Sequence, residues 1–517
     1  MGNTEPLDAS RVDAVAKEQA SGVWDEAVDA NGDPRPAYRH VMSALAALTN
    51  DDLAQRQTRA EAMEAEEGIT FRVTGEAEPR IFPTDPIPRI IDADTWATLS
   101  AGLEQRARAL NAFLDDVYGP RRIIEAGIVD AEDVDGAPGY VDEGRLQPLG
   151  GVRAHVCGMD LVCNDAGEWL VLEDNLRVPS GIVFSHFLRE MAGETFGDVL
   201  AEHDVHDPRE AFAMLRATLT AAAPANAAHR DAPSLALVST GASDSAWFEH
   251  RRIAEFVGMP VCTPDQLAVV DGRLHLRDDQ GATRPLDVVY ARIEKDQLFA
   301  AEGFDGAPLG PGLEDALAGR RLAFVNAFGN GVADDKAIYA YVPQMIRFYL
   351  DEEPLLAQVP TDLCHRPGVA EKVIERLHER VVKPVDGYGG SGITIGPEST
   401  QEELDERARE LREHPGRFIA QDVVRLSTLP TFALDEHGEP RVHARHVDLR
   451  AFVHVRATDA PRPDGPLGAD AMTAHAVPAA LTRTAPAGSL IVNSSRGGGG
   501  KDTWILRRPA ASDPATS

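Results

Sequence analysis

Asp160, Glu173 and Asn175 are the residues of this chain whose types and spacing most suggest chemistry. Alternation along 160–163 and again along 169–173, with Asn164-Asp-Ala-Gly167 between, predicts a strand, a turn and a returning strand. Side chains alternate across a strand, so Glu173 and Asn175 share a face, and Asp160 on the paired strand can converge with them. Two carboxylates about 4 Å apart repel by a few kcal/mol at an intermediate dielectric. A hard cation removes that cost, and an all-oxygen set suits Mg2+, which keeps several waters and shares phosphate oxygens. Taken alone, Glu-x-Asn fits a surface hairpin with solvated acids at least as well.

A second element lies far downstream. Val381-Val382 deliver Lys383, and Gly387, Tyr388, Gly389, Gly390, Ser391 and Gly392 make a glycine-rich loop leading into Ile393-Thr-Ile395. Glycines permit close backbone approach, so successive N–H groups can surround phosphate oxygens. The spacing matches neither the Gly-x-x-x-x-Gly-Lys-Ser/Thr loop nor a dinucleotide fingerprint, because strands flank it and no helix follows. A plain hairpin turn would look similar. Lysine is scarce here, with only Lys17, Lys295, Lys336, Lys372, Lys383 and Lys501 in the chain. Where arginine is the default cation, a lysine beside a glycine loop suggests a need for a compact ammonium.

Composition narrows the partners. The formal charge of −32 over 517 residues repels nucleic-acid phosphate and anionic membrane, which disfavours both. Four cysteines in so long a chain argue against a disulfide framework, and Cys157 and Cys163 read as buried strand residues. With no apolar leader and no run of about 18 apolar residues, the expectation is a cytoplasmic protein. The sequence leaves the oligomeric state open.

The elements that must position these residues read as follows. Helices are expected at 38–48 and 51–66, and a longer one at 94–117 whose apolar spacing buries one face, with Asp94 as N-cap. From 204 a strand at 234–239, an amphipathic helix at 245–257, a strand from 261, a hairpin at 267–276 and a strand at 285–293 describe a compact α/β unit with parallel pairing and no phosphate fingerprint. A helix at 334–350 opens on the acidic pair Asp334-Asp335, which suits a helix N-terminus. A charged helix at 398–413 and strands at 417–424 and 446–455 follow. Residues 461–466 read as a flexible excursion and 508–517 as a disordered tail. The histidines His155, His443 and His446 read as strand or surface residues. No Ser-His-Asp arrangement is visible.

A strand-borne Lys383 with its glycine loop, then Ile419-Ala-Gln-Asp-Val423, then Asp448-Leu-Arg450, then Asn493 followed by glycines, resembles the ATP-grasp ligases. In ordinary members Asp…Glu-x-Asn comes last, whereas here Asp160…Glu173-Asp-Asn175 comes first. The order is rotated, and the chain resembles the circularly permuted ATP-grasp family related to glutathionylspermidine-synthase-like proteins. Ile87-Pro-Arg, Phe113-Leu-Asp-Asp-Val-Tyr-Gly, Leu172-Glu-Asp-Asn-Leu-Arg-Val-Pro-Ser-Gly181 and Asn493-Ser-Ser fit that family too.

The resemblance implies a mixed α+β and α/β ATP-grasp fold in permuted order, with an inserted pre-ATP-grasp-like α/β domain and a helical N-terminal arm. The expected divisions are 1–67 for the arm, 68–203 for the segment with the acidic hairpin, 204–330 for the α/β domain, 331–507 for the nucleotide-binding lobes and 508–517 for the tail. It implies ATP and Mg2+, with two ions and Mn2+ able to substitute, and Asp160, Glu173 and Asn175 as metal ligands. Lys383 and Gly387–Gly392 match the phosphate contacts, and Lys336 matches an earlier nucleotide-contacting lysine, an ordinary helix-start residue being the alternative. Gln421, Asp422 and Val423 would pass the adenine, as a plain buried strand also could. Arg450 matches the arginine that meets charge on the transferred phosphoryl, or else pairs with Asp448 or a hairpin acid.

Arg483 and Asn493 are carried over in the same region. Arg177 and Ser180 would orient the acceptor carboxylate or cap their loop. Tyr290-Ala-Arg-Ile-Glu294 departs from the double-arginine version expected for the family and leaves Arg292 alone as a substrate contact. The implied activity is carboxylate–amine ligation through an acylphosphate, on small-molecule or short-peptide carboxylates and amines. The alternatives are an ATP-binding scaffold or sensor, or a phosphotransferase on the same fold.

Overall fold

An eight-stranded sheet carries the acidic hairpin in the computed structural model. The structure describes residues 24–71, 80–81, 83–230, 232–385, 392–434, 440–458, 468–486, 489, 492 and 498–508. The expected excursion at 461–466 and most of the expected tail therefore lie outside the described residues. The sheet runs Ala357–Gln358, Trp169–Asn175, Val156–Cys163, Pro440–Ala457, Met472–Thr484, Gly499–Ile505 and Thr84–Ile91, with Thr428–Leu434 pairing the outer part of Pro440–Ala457.

Alternation assigns the two faces. Cys157, Met159, Leu161, Leu449, Ala451 and Val453 pack with Leu99, Leu103, Leu110, Phe113 and Val117 of the helix Ala93–Val117. Val156 and Phe452 turn the other way, toward Ile182, Val183 and Phe187 of the helix Ile182–Leu200. Asp160 and Arg450 share the parity of this second face. Asp92, not Asp94, caps the long helix, its carboxylate accepting from the Asp94 and Thr95 N–H groups at 3.0 Å. Asp94 falls in the first turn, where its charge still complements the dipole.

A second sheet has the order Ala323–Val325, Val288–Arg292, Leu235–Ser239, Val261–Cys262, and every pairing in it is parallel. Its strands are buried apolar runs, as a sheet covered on both faces requires. A third, antiparallel sheet has the order Thr361–Leu363, Phe418–Asp422, Arg380–Pro384, Thr394–Ile395. Val382, Phe418 and Ala420 pack there with Val373 and Leu411 of the helices Val369–Glu375 and Gln401–Glu413. The latter helix starts three residues later than expected, at a Thr400–Glu403 capping box.

The expected helix at 334–350 is broken into Lys336–Tyr339 and Val342–Leu350. Pro343 sits in the first turn of the second piece, where its missing N–H costs nothing. Asp335 caps the first piece, and Asp334 is diverted to the hairpin. No described helix is long and apolar enough to cross a membrane. The four cysteines are free and buried.

Two buried charged groups give measurable consequences. Arg106, from the long helix, forks onto Asp174 at 2.7 and 2.6 Å from the face opposite Glu173 and Asn175. Removing one partner of such a pair leaves an uncompensated charge, so Arg106→Met lowers the unfolding free energy by about 3–5 kcal/mol in denaturant titration. Glu64, fully buried against Thr84, is pushed up to about 7 by burial. Its folded value exceeds its unfolded one, so its contribution is fully present below the ordinary carboxyl range and is lost as pH rises through about 7. Thermal unfolding between pH 5 and 8 shows this decline in the native chain and less of it in Glu64→Gln.

Candidate active site

The acidic hairpin forms as the alternation predicts, as Val156–Cys163 and Trp169–Asn175 joined through Asn164–Gly167. Asp160 stands opposite Glu173 and Gly158 opposite Asn175, while Leu161 stands opposite Val171. Leu172 is therefore an extra residue on its strand. Such a bulge re-aims side chains. Val171 faces the long helix with Leu161, yet Glu173 and Asn175 come out on the Asp160 face. Asp174 between them points back to Arg106.

Asp160 is 2 % exposed and sits in a network of charges. Arg450 Nε and Nη2 donate to its two oxygens at 2.6 and 2.7 Å, and Arg483 Nη2 donates to it at 2.8 Å. Arg483 also forks onto Asp448 at 2.9 and 2.6 Å. Burial acts to raise the Asp160 carboxyl, but the two guanidiniums outweigh it and hold it well below the usual carboxylate range. Arg450 Nη1 reaches the Ser180 carbonyl at 3.3 Å. Arg450 thus pairs with the hairpin acid Asp160, while Arg483 also takes Asp448.

Lys383 enters from the antiparallel sheet. Val382 faces that sheet's helices, so Lys383 lies on the opposite face, within electrostatic reach of Glu173 and Asp160. Burial pushes its ammonium down to about 8, with Lys336 adding to that effect and Glu173 and Asp160 opposing it. Lys336 lies 3.3 Å from Glu173, and its N–H meets the Val385 carbonyl. Four cationic side chains (Lys336, Lys383, Arg450, Arg483) thus stand among three carboxylates (Asp160, Glu173, Asp448), an arrangement suited to an added polyanion.

Other expected contacts divide. Gln421 is buried and donates to Thr361 Oγ1 at 2.9 Å, Asp422 is exposed and pairs with Arg380, and Val423 lies beyond the strand end. Gly387, Tyr388, Gly389, Gly390, Ser391 and Asn493 lie outside the described residues, while Gly392 sits against Pro384. Lys501, at the end of the glycine run, points into the core onto Asp85 and the carbonyls of Ile87 and Pro430. Its ammonium therefore serves the core.

The loop after the hairpin is held by the parallel sheet. Arg292, 2 % exposed, donates to the Pro179 carbonyl at 2.6 Å and to Ser180 Oγ. Arg177 is exposed and pairs with Glu294 at 2.9 Å. Three groups given no site role in the sequence complete the clamp. Glu249 accepts from the Gly181 N–H at 2.7 Å, and Asp334 accepts from the Leu176 and Arg177 N–H groups. Asn326 Nδ2 donates to the Val156 and Leu176 carbonyls at 2.7 and 2.8 Å. Gly181 has φ +120, and a Cβ there would approach Leu481, so only glycine turns the chain into the next helix. Glu249 had no visible signal, since it occupies one position of an ordinary amphipathic helix.

The donor set fits a divalent cation and a triphosphate. Glu173 and Asp160 offer carboxylate oxygens on one face, and among the described residues the buried Asn175 Nδ2 has no hydrogen-bond partner, leaving that amide free to turn its oxygen inward.

Residues 88–485 match the family described as circularly permuted ATP-grasp type 2. The chain belongs to that family. It is 46% identical, over 94% of its length, to "Putative glutamate--cysteine ligase 2-3" of Frankia alni, covering 54% of that protein. It is 40% identical to "Uncharacterized protein sll0335" of Synechocystis sp., over 94% of this chain and 97% of that one. Thus the chain spans about half the length of the Frankia relatives. A solved glutathione synthetase-like effector from Globodera pallida, described in apo form, shares the fold at a TM-score of 0.58 and 11% identity, over 89% of this chain and 98% of that one.

The Lys383 ammonium gives a pH signature. It is charged below about 8 and loses its proton above that value. Calorimetric Mg-ATP affinity is expected to fall as pH rises from 7 to 9, and to be weaker and flat in Lys383→Met.

Proposed function

We propose that this protein is an ATP-dependent carboxylate–amine ligase that forms an amide bond on amino-acid-like or short-peptide substrates. The observation that carries the reading is the meeting of two distant segments. The hairpin with Asp160 and Glu173 and the strand with Lys383 share one cluster of charges, with Lys336, Arg450 and Arg483 between them. The family membership and the ligase names of the Frankia relatives support it.

In this reading a substrate carboxylate oxygen attacks the γ-phosphorus, ADP leaves, and an acylphosphate results. An amine nitrogen then attacks the carbonyl carbon, a proton is lost, and phosphate departs. The chain's own residues bind and orient more than they react. Lys383 and Lys336 bind phosphate oxygens. Asp160, Glu173 and Asn175 would hold a Mg2+ ion, which would supply positive charge to offset the phosphate oxygens. Arg450, anchored on Asp160, turns its remaining N–H groups to the charge that builds on the transferred phosphoryl. Arg177, Ser180 and Arg292 shape the loop where the acceptor carboxylate enters, with Arg292 acting through Pro179 and Ser180. Backbone groups at Gln421–Val423 pass the adenine edge.

Screening pooled amino acids and small peptides for Mg-ATP-dependent phosphate release tests the class. Hydroxylamine included in the assay yields a hydroxamate if an acylphosphate forms. Glu173→Gln and Lys383→Ala are expected to lower turnover by about 10²–10³-fold at unchanged melting temperature. They are cleaner probes than Asp160→Asn, which leaves two buried guanidiniums uncompensated. Tight Mg-ATP binding with no phosphate release on any pool would point to a scaffold instead, and full turnover in both variants would remove the ligase reading.

A further inference from the structure

The strand Pro440–Ala457 changes neighbours at the site. It pairs with Thr428–Leu434 as far as His446 and with Val156–Cys163 from Leu449, so Val447 and Asp448 sit at the seam. Asp448 is the carboxylate that holds Arg483, which in turn holds Asp160.

At that seam lies Arg89, fully buried, whose Nη1 donates to the Asp448 carbonyl at 2.9 Å. In the strand order Thr84–Ile91 is three places from Pro440–Ala457, so the sheet curls to bring Arg89 there. The Arg89 guanidinium also lies 4.7 Å from the ring centre of Trp169, the first residue of the strand bearing Glu173 and Asn175.

Its remaining donors go to the N-terminal segment. Glu26 takes Arg89 Nε and Nη2 in a fork at 2.9 and 2.6 Å, and accepts from Ser427 Oγ at 2.5 Å. Glu26 is itself fastened, its N–H donating to the Thr428 carbonyl at 3.0 Å. Neighbouring Asp25 accepts from the Ala27 and Val28 N–H groups and from Thr428 Oγ1 without touching Arg89. Glu26 lies outside residues 88–485, the span matched to the family.

We propose that Glu26 and Arg89 are positioning residues of the site: the pair sets the Asp448 backbone, and through Asp448 and Arg483 it orients the Asp160 carboxylate toward the metal–triphosphate end of the nucleotide. The inference rests on the nucleotide reading above. A buried ion pair contributes little net stability once desolvation is counted. What a planar five-donor fork held at three points does provide is geometry. Outer partners of this kind tune a metal site without touching it.

The test uses the full chain and two probes in calorimetry, Mg-ATP and ADP in metal-free buffer. ADP without metal reports the Lys383 side and the adenine strand, and Mg-ATP adds the Asp160 side. Glu26→Gln is expected to weaken Mg-ATP about tenfold and leave metal-free ADP unchanged. Ser427→Ala, a milder change in case Glu26→Gln folds poorly, moves the same ratio in the same direction by less. Asp25→Asn lowers the melting temperature with the ratio unchanged. Native ratios in both Glu26→Gln and Ser427→Ala, or parallel loss of both ligands, would overturn the inference. Failure of the native chain to bind Mg-ATP would instead remove the nucleotide reading, and the inference with it.

Discussion

The rest of the structure depends on one buried constellation, the Asp448–Arg483–Asp160–Arg450 chain of ion pairs. It crosses three neighbouring strands, since Arg450 stands beside Asp160 in one pairing and Asp448 beside Arg483 in the next. Two guanidiniums against two carboxylates inside a sheet are tolerable only because each is forked onto its partners. Loss of any one would strand a charge away from water. The constellation therefore dictates register and strand order, and it leaves Asp160 ionised on the face where Glu173 and Lys383 meet.

The surrounding elements serve that geometry from different sides. Arg106 pulls Asp174 toward the long helix, which forces its neighbours Glu173 and Asn175 to the opposite face. The bulge at Leu172 lets Val171 stay in the core while this happens. Glu249, Arg292 and Asn326, at or near the carboxyl ends of the parallel strands, hold the loop that follows. Ligands gather outside such strand ends in parallel sheets. Here the polar groups at those ends are spent on a neighbouring loop, which links the two sheets through directional bonds as well as apolar contact.

Permuted order costs this arrangement little. The strands that carry Asp160, Asp448 and Arg483 are adjacent through main-chain hydrogen bonds whatever their sequence in the chain. Lys383 reaches them from a separate sheet, so it needs only proximity. What matters is that each charged residue falls on the correct parity of its strand, and parity is a local property.

Parity is also why so much was legible in the amino-acid sequence. The hairpin, its turn, the shared face of Glu173 and Asn175, the parallel α/β unit and the strand-borne Lys383 all follow from periods of two or 3.6 residues. The family resemblance added roles to those positions. Boundaries were less legible, because Asp92 and Asp94 are equally good caps on paper, and Asp334-Asp335 reads as one helix start when a buried backbone turn claims Asp334. Nothing along the chain marked Lys501 as a core ammonium, because its buried partner Asp85 lies far away in sequence. By itself, then, the sequence determined which residues could act and on which face of their elements they lie. The partners of Asp160, the seam filled by Arg89 and Glu26, and the clamp from Glu249 were decided only by the tertiary structure, because they join positions from 63 to 359 residues apart and long-range pairing leaves no periodic trace along the chain.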